Sequence, residues 1–168
     1  MSVLLSKWVL GISAILLTTI ALLYITGSKS VHSEVVVPAS LKLVWAVLID
    51  TERYKKWNSV LVPLEGELRE GGEVLYEFHQ DSDKAYKITS KVVQVSEETL
   101  LNQRGGMQGI LTFDHRYQLE PTHNGTKVII HEEYRGIGVH VWDPAPVEAA
   151  YHRLNQALKD RVIEVYPQ

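Results

Sequence analysis

Leu111-Thr-Phe-Asp-His-Arg-Tyr-Gln-Leu-Glu120, followed after a short link by Asn124-Gly125 and Thr126-Lys-Val-Ile-Ile-His-Glu-Glu-Tyr-Arg135, decides the fold. Asn-Gly between two alternating apolar runs is a strong two-residue hairpin signal. With Asn124 and Gly125 as the turn, Leu119 faces Ile130, Tyr117 faces Glu132 and His115 faces Tyr134. Side chains alternate across a strand. One face therefore carries Leu111, Phe113, His115, Tyr117 and Leu119, and the other Thr112, Asp114, Arg116 and Gln118. The apolar face brings Val128, Ile130, Glu132 and Tyr134 with it, so His115, Tyr117, Glu132 and Tyr134 form a polar group on a hydrophobic wall.

Working outward, the same alternation recurs. A strand from Val60 to Leu68 carries Pro63, which suits an edge or a bulge. Gly71-Gly72 and Asp81-Ser-Asp83 turn the chain around a strand with Val74, Tyr76 and Phe78 on one face. Tyr86, Ile88, Ser90 and Val92 alternate in the next strand, and Leu100 to Arg104 forms another. Gly105-Gly-Met-Gln-Gly109 reads as the turn into Leu111, since it lacks the Lys-Ser/Thr of a phosphate loop. At the front, Val31 to Val37 is β-rich and stops at Pro38. Ser40 then caps a helix with Leu41, Val44, Trp45 and Leu48 on one face, and Asp50-Thr51 opens a second short helix reaching about Trp57. At the end, Asp143 and Pro144 start a long helix whose stripe is Val147, Ala150, Tyr151, Leu154, Leu158, Val162 and Val165. The class is α+β: an antiparallel sheet with one wet face and one face covered by the long helix.

The 168 residues carry 17 Lys and Arg against 20 Asp and Glu, a net charge of −3, and no cysteine. Disulfides, thiol nucleophiles and zinc–thiolate sites are excluded. The charge is partitioned. The first 30 residues hold only Lys7 and Lys29, which leaves 15 basic and 20 acidic residues beyond them, a net −5. Such a domain is a poor nucleic-acid binder, because phosphate neutralisation needs clustered cations. The uncharged run Trp8 to Ile25 spans about 27 Å as a helix, close to the hydrocarbon thickness of a bilayer. Trp8 and Tyr24 sit where aromatic residues favour the interface. A retained single-span anchor through residues 8–25 is the expectation and a cleaved signal peptide the alternative. Residues 1–30 then form tail, anchor and a short linker from Thr26 to Ser30, and residues 31–168 one domain. The positive-inside balance is nearly even, with the domain expected on the extracytoplasmic side.

Pro38, Val44-Trp45, Leu48, Asp50, Tyr54 and Trp57-Asn58 resemble the opening pattern of the START/polyketide-cyclase (SRPBCC) superfamily. The stretch Gly109 to Tyr117, with Gly125-Thr126 and Glu132, is similar to its cyclase and lipid-transport members. The resemblance implies a helix-grip fold, in which a curved antiparallel sheet wraps a long C-terminal helix around a deep cavity. It also implies an apolar ligand such as a lipid or other hydrophobic small molecule.

From register and resemblance together, the expected cavity residues are Tyr76, Phe78, Tyr86, Ile88, Phe113, His115, Tyr117, Ile130, Glu132, Tyr134, Trp142, Tyr151 and Leu154. His115 and Glu132 are the candidates for orienting a ligand's polar end or exchanging a proton with it. The plain alternative is a satisfied internal pair. Gly136-Ile-Gly-Val-His-Val-Trp142 suits either a lid at the cavity mouth or a tight connection with Trp142 in the core. The remaining histidines show no metal-ligand spacing, so neither metal nor cofactor is expected. The expected function is a membrane-anchored binder of a hydrophobic small molecule or lipid. The alternatives are a cyclase/dehydrase- or isomerase-type enzyme and a scaffold module with a filled interior.

Overall fold

The computed structural model describes residues 2–81 and 83–167, with side chains from Ser6 onward. Ser82, the centre of the expected Asp81–Asp83 turn, lies outside the described residues. The chain begins with helix α1, Ser2–Thr26. Its stretch Ser6–Thr26 has a mean hydropathy of 2.2 and is long and apolar enough to cross a membrane. Its described apolar side chains are exposed, from Trp8 to Ile25, as befits a helix with no polar face.

Strand β1, Ser28–Val37, follows directly. The expected five-residue linker is not formed. Ser28, Lys29 and Ser30 pair with Arg135, Tyr134 and Glu133, leaving Gly27 as the only residue between α1 and the sheet. Helix α2, Leu41–Ile49, buries Val44, Trp45, Val47 and Leu48. Ser40 occupies the N-cap position in an extended conformation, without a side-chain cap bond. A 3-10 turn, Thr51–Lys56, comes next. The Tyr54 hydroxyl donates to the Leu48 carbonyl. Asn58 Oδ1 accepts from the amides of Val60 and Leu61 at 3.0 and 2.9 Å. The Tyr-x-x-Trp-Asn pattern thus ties α2 to the start of the sheet, which is a structural task.

Strands β2 (Leu61–Gly66), β3 (Glu73–His79), β4 (Ala85–Ser96), β5 (Leu100–Met107), β6 (Leu111–Thr122) and β7 (Gly125–Arg135) complete a seven-stranded antiparallel sheet of order β1-β7-β6-β5-β4-β3-β2. Pro63 lies on edge strand β2 at a register shift between Pro63 and Glu65, where a missing amide donor is tolerated. A second shift lies between Val92 and Gln94. Such bulges bend the strands.

Two turns differ from expectation. The β6–β7 loop is His123-Asn124, with Gly125 already paired to Thr122. The register is therefore displaced by two from the expected one: His115 faces Glu132, Tyr117 faces Ile130 and Phe113 faces Tyr134. Gly125 has φ +129, and a Cβ there would overlap the Val37 carbonyl oxygen. Close approach of β1 demands this glycine, not a primed turn. Likewise Gly105 and Gly106 belong to β5, and the turn is confined to 108–110. A Cβ on Gly105 would strike the Phe113 ring and the Thr89 carbonyl.

Helix α3, Ala145–Val165, covers the inner face. Val147, Ala150, Tyr151, Leu154, Leu158 and Val162 are buried, but Val165 is exposed, since the stripe runs out where the helix ends. Asn155 is also buried. Its Nδ2 donates to Ser33 Oγ on β1 at 2.9 Å, a polar tie between helix and sheet edge. The result is a helix-grip α+β fold with α3 and α2 packed against one face of the sheet.

Candidate ligand-binding site

The strand directions give the sheet two ends. One gathers the β3–β4 and β5–β6 turns, the end of β7 and the start of α3, beside the exit of α1. A cavity of about 460 Å³ lies there, between the first two turns of α3 and the inner sheet face. Its walls are Phe78, Gln80, Tyr86, Lys87, Ile88, Gly106, Leu111, Phe113, Glu132, Tyr134, Trp142, Val147 and Tyr151. The lining is mostly apolar, with few polar groups, the pattern of a small-molecule pocket.

Eight of the expected residues line this cavity: Phe78, Tyr86, Ile88, Phe113, Glu132, Tyr134, Trp142 and Tyr151. The other five, Tyr76, His115, Tyr117, Ile130 and Leu154, are absent from the lining and buried deeper in the core. The division follows depth. Tyr76, His115 and Ile130 lie two residues further from the cavity end than Phe78, Phe113 and Glu132, about 7 Å along each strand. Gln80, Lys87, Gly106, Leu111 and Val147 line the cavity without having been expected there. Leu111 and Val147 were legible as inward positions of β6 and α3. Gln80 follows β3, and Lys87 lies on β4 between the inward positions Tyr86 and Ile88, so alternation did not mark either of them.

Glu132 is the central polar group. It is 3% exposed, and its Oε2 accepts from the Tyr134 hydroxyl at 2.7 Å and from the Tyr151 hydroxyl. Burial, reinforced by the charge of Glu132, pushes both phenols well above their ordinary range. Both therefore remain hydrogen-bond donors at neutral pH. Tyr134 packs on Trp142 with ring centroids 4.2 Å apart, and Phe78 approaches Tyr151 at 6.2 Å. The segment after β7 is a 3-10 helix, Ile137–His140, which leads Trp142 half-buried into the cavity wall.

Behind Glu132 sits His115, 3% exposed. Its Nδ1 is 3.7 Å from Glu132 Oε2, beyond hydrogen-bond reach. Neither ring nitrogen has a hydrogen-bond partner. The ring meets the edges of Tyr117 and Tyr151 at 4.8 and 5.1 Å. Further down the same seam, the Tyr76 hydroxyl donates to Gln103 Oε1 at 3.0 Å. Gln103, directly opposite His115 and two residues from buried Leu101, is a polar residue that strand parity turns inward. Because the His115 nitrogens are already unpaired, His115→Leu is expected to leave stability within about 1 kcal/mol of the parent or raise it. Urea unfolding of the detergent-solubilised chain measures this, and a larger loss would show a hydrogen bond the ring makes in solution.

A larger depression of about 660 Å³ lies on the opposite sheet face, among Lys91, Arg104, Asp114, Arg116, Glu133 and Arg135. Its arginines are internally paired: Arg104 Nε and Arg116 Nε donate to Asp114 at 2.5 and 2.9 Å, and Arg135 lies 3.5 Å from Glu133. Partial burial alone would raise the Asp114 carboxyl, but hydrogen bonds from Arg116, Asn102 and Arg104 outweigh it and hold it below its ordinary value. This face is a solvated charge network.

A seven-stranded antiparallel sheet gripping a long C-terminal helix has counterparts among known proteins. Residues 28–162 match the family described as polyketide cyclase/dehydrase and lipid transport, and the chain belongs to that family. Among solved structures it is similar to the Zhui aromatase/cyclase from Streptomyces sp. R1128, at 15% identity and a TM-score of 0.66, over 83% of this chain and 97% of that one. It is also similar to norcoclaurine synthase from Thalictrum flavum, solved with dopamine and hydroxybenzaldehyde. There the identity is 16% and the TM-score 0.61, over 84% and 90% of the two chains. A Thermus thermophilus protein matches at 17% identity with a TM-score of 0.67, over 82% and 99%. At these identities the structures share the fold. No functionally curated protein matches the sequence. The family fold suggests ligand binding or cyclase-type function.

Proposed function

We propose that the protein binds a hydrophobic small molecule or lipid in the cavity between sheet and α3, with α1 holding the domain to a membrane. The observation that carries the reading is the cavity itself. About 460 Å³ is bounded mainly by Phe78, Ile88, Leu111, Phe113, Trp142 and Val147, with one polar focus at Glu132, Tyr134 and Tyr151. The apolar wall supplies affinity. The Glu132 carboxylate and the two phenols fix a polar end of the ligand.

Two experiments test this. Mass spectrometry of molecules co-purifying with the detergent-solubilised chain identifies the ligand class directly. Titration with an apolar fluorescent probe measures the cavity, and Ile88→Trp narrows its mouth. The rim position of Ile88 on a strand tolerates an aromatic residue. Probe affinity is expected to fall about tenfold, ~1.4 kcal/mol, with the melting temperature unchanged. Unaltered affinity would place the probe elsewhere.

Acid–base catalysis is the second reading, favoured by one observation: Glu132, with two neutral phenol donors on it, stands in the cavity wall. A general acid or base must reach the reacting group. In this reading Glu132 and the tyrosines, which line the cavity, are the candidate groups, with His115 buried behind Glu132.

A further inference from the structure

The domain does not hang from α1; it is seamed to its last turn. His140 Nε2 lies 2.9 Å from the Leu23 carbonyl oxygen and 3.4 Å from Thr26 Oγ1. The Gly136 amide donates to Gly27 O at 3.0 Å. A Cβ on Gly27 would overlap the Gly136 carbonyl oxygen, so glycine there allows the close approach. Both contacts fall on the last turn of α1, where the Leu23 carbonyl also accepts from the Gly27 amide at 2.9 Å. Leu23 is inside the apolar run that ends at Ile25. If α1 spans a bilayer, the 3-10 helix 137–140 lies at the depth of the interface and not in bulk water.

The β3–β4 turn at this end is polar, with Gln80, Asp81, Asp83 and Lys84, but the part beside α1, formed by the β5–β6 turn and the 3-10 helix, presents apolar side chains. Val141 is 92% exposed, Met107 62%, Ile110 48% and Ile137 36%. Hydrogen bonds from the Ile137 amide to Gly109 O, 3.3 Å, and from the Gly138 amide to Ile110 O, 2.8 Å, join the β5–β6 turn to the 3-10 helix. The four side chains therefore belong to one rim. The turns at the opposite end of the sheet, Glu67–Gly72, Glu97–Thr99 and His123-Asn124, carry mainly polar residues and glycine. Contiguous exposed apolar residues mark a contact surface, and this one adjoins the helix that would enter the lipid. The rim also adjoins the cavity: Met107, Ile110 and Val141 are the chain neighbours of the lining residues Gly106, Leu111 and Trp142.

We propose that Met107, Ile110, Ile137 and Val141 form a second membrane contact, seated in the lipid interface beside α1, so that the cavity mouth opens onto the bilayer. A ligand then passes between lipid and cavity without crossing water. The inference rests on α1 being a membrane anchor, and the test separates the two. The chain has no cysteine, so Met107→Cys, Ile110→Cys and Val141→Cys each carry a single environment-sensitive fluorophore. Leu16→Cys in the middle of α1 and His123→Cys at the far end are the references. Each full-length variant is reconstituted in phosphatidylcholine vesicles with and without nitroxide-labelled lipid. Labels at 107, 110 and 141 are expected to be quenched several-fold more than the label at 123, and the quenching to persist when protein is diluted in lipid. Quenching at 16 alone, with 107, 110 and 141 matching 123, overturns the second contact and leaves the anchor. No quenching at 16 overturns both. Quenching at the rim that disappears on dilution assigns the rim to contact between two copies and overturns the lipid assignment.

Discussion

Replacing Glu132 by Leu is expected to destabilise the domain by about 2–5 kcal/mol, because it strands two buried phenol donors at once. Tyr134 and Tyr151 both donate to Glu132 Oε2, and both are less than a tenth exposed, so neither finds water easily. Leaving a buried donor unpaired costs about 1–3 kcal/mol, whereas removing all partners together is nearly neutral. The triple variant Glu132→Leu, Tyr134→Phe, Tyr151→Phe should therefore recover most of the loss. Glu132→Gln, which keeps an acceptor oxygen, should fall between the parent and Glu132→Leu. Urea unfolding of the detergent-solubilised chain, monitored by tryptophan fluorescence, reads all three. If the triple variant is as unstable as Glu132→Leu, the hydroxyl bonds are not what Glu132 contributes. In the same variants the apolar probe reports on function. A triple variant that is stable but binds an amphiphilic ligand weakly would assign the polar trio to ligand orientation. Unchanged binding would leave it a satisfied internal cluster.

The inner face of the sheet was legible because alternation is a local property: Phe113, His115, Tyr117, Glu132 and Tyr134 all point inward as their parity requires. Pairing was less so. Asn124-Gly125 carries a strong turn signal, but the Val37 carbonyl occupies the space beside Gly125, and that neighbour arrives from 88 residues earlier in the chain. The resulting displacement by two preserved every face while changing every partner, and it set His115 opposite Glu132. Gly105 shows the same limit, since its lack of a side chain answers the Phe113 ring on the next strand. Asn155 was hidden for the opposite reason. It sits on the apolar stripe of α3, four residues after Tyr151, and its burial depends on finding Ser33 on β1. The helical span and the absent linker divide alike: hydropathy marked α1, but only pairing of Ser28 with Arg135 shows how short the junction is.

Depth within the sheet is the quantity that alternation cannot supply, and Leu154 tests it. Its spacing places it on the same stripe as Tyr151, which made it a candidate for contact with a ligand. In the structure Tyr151 reaches the cavity, while Leu154, 1% exposed, packs in the core with Leu158 and Val162. Three residues of helix, about 4.5 Å, separate the two environments. Leu154→Ala is accordingly expected to cost about 2–5 kcal/mol, through lost burial and the cavity left behind. It should leave probe affinity within twofold, about 0.4 kcal/mol, of the parent under conditions where both are folded. Ile88→Trp gives the converse pattern, with weakened binding and preserved stability. The pair works as a double dissociation across one cavity wall. A Leu154→Ala variant that unfolds normally but loses the probe would show the cavity extending past Tyr151 into the core, and would return Tyr76, Tyr117 and Ile130 to the ligand-facing set. A variant that loses stability alone locates the floor of the site at Glu132 and Tyr151.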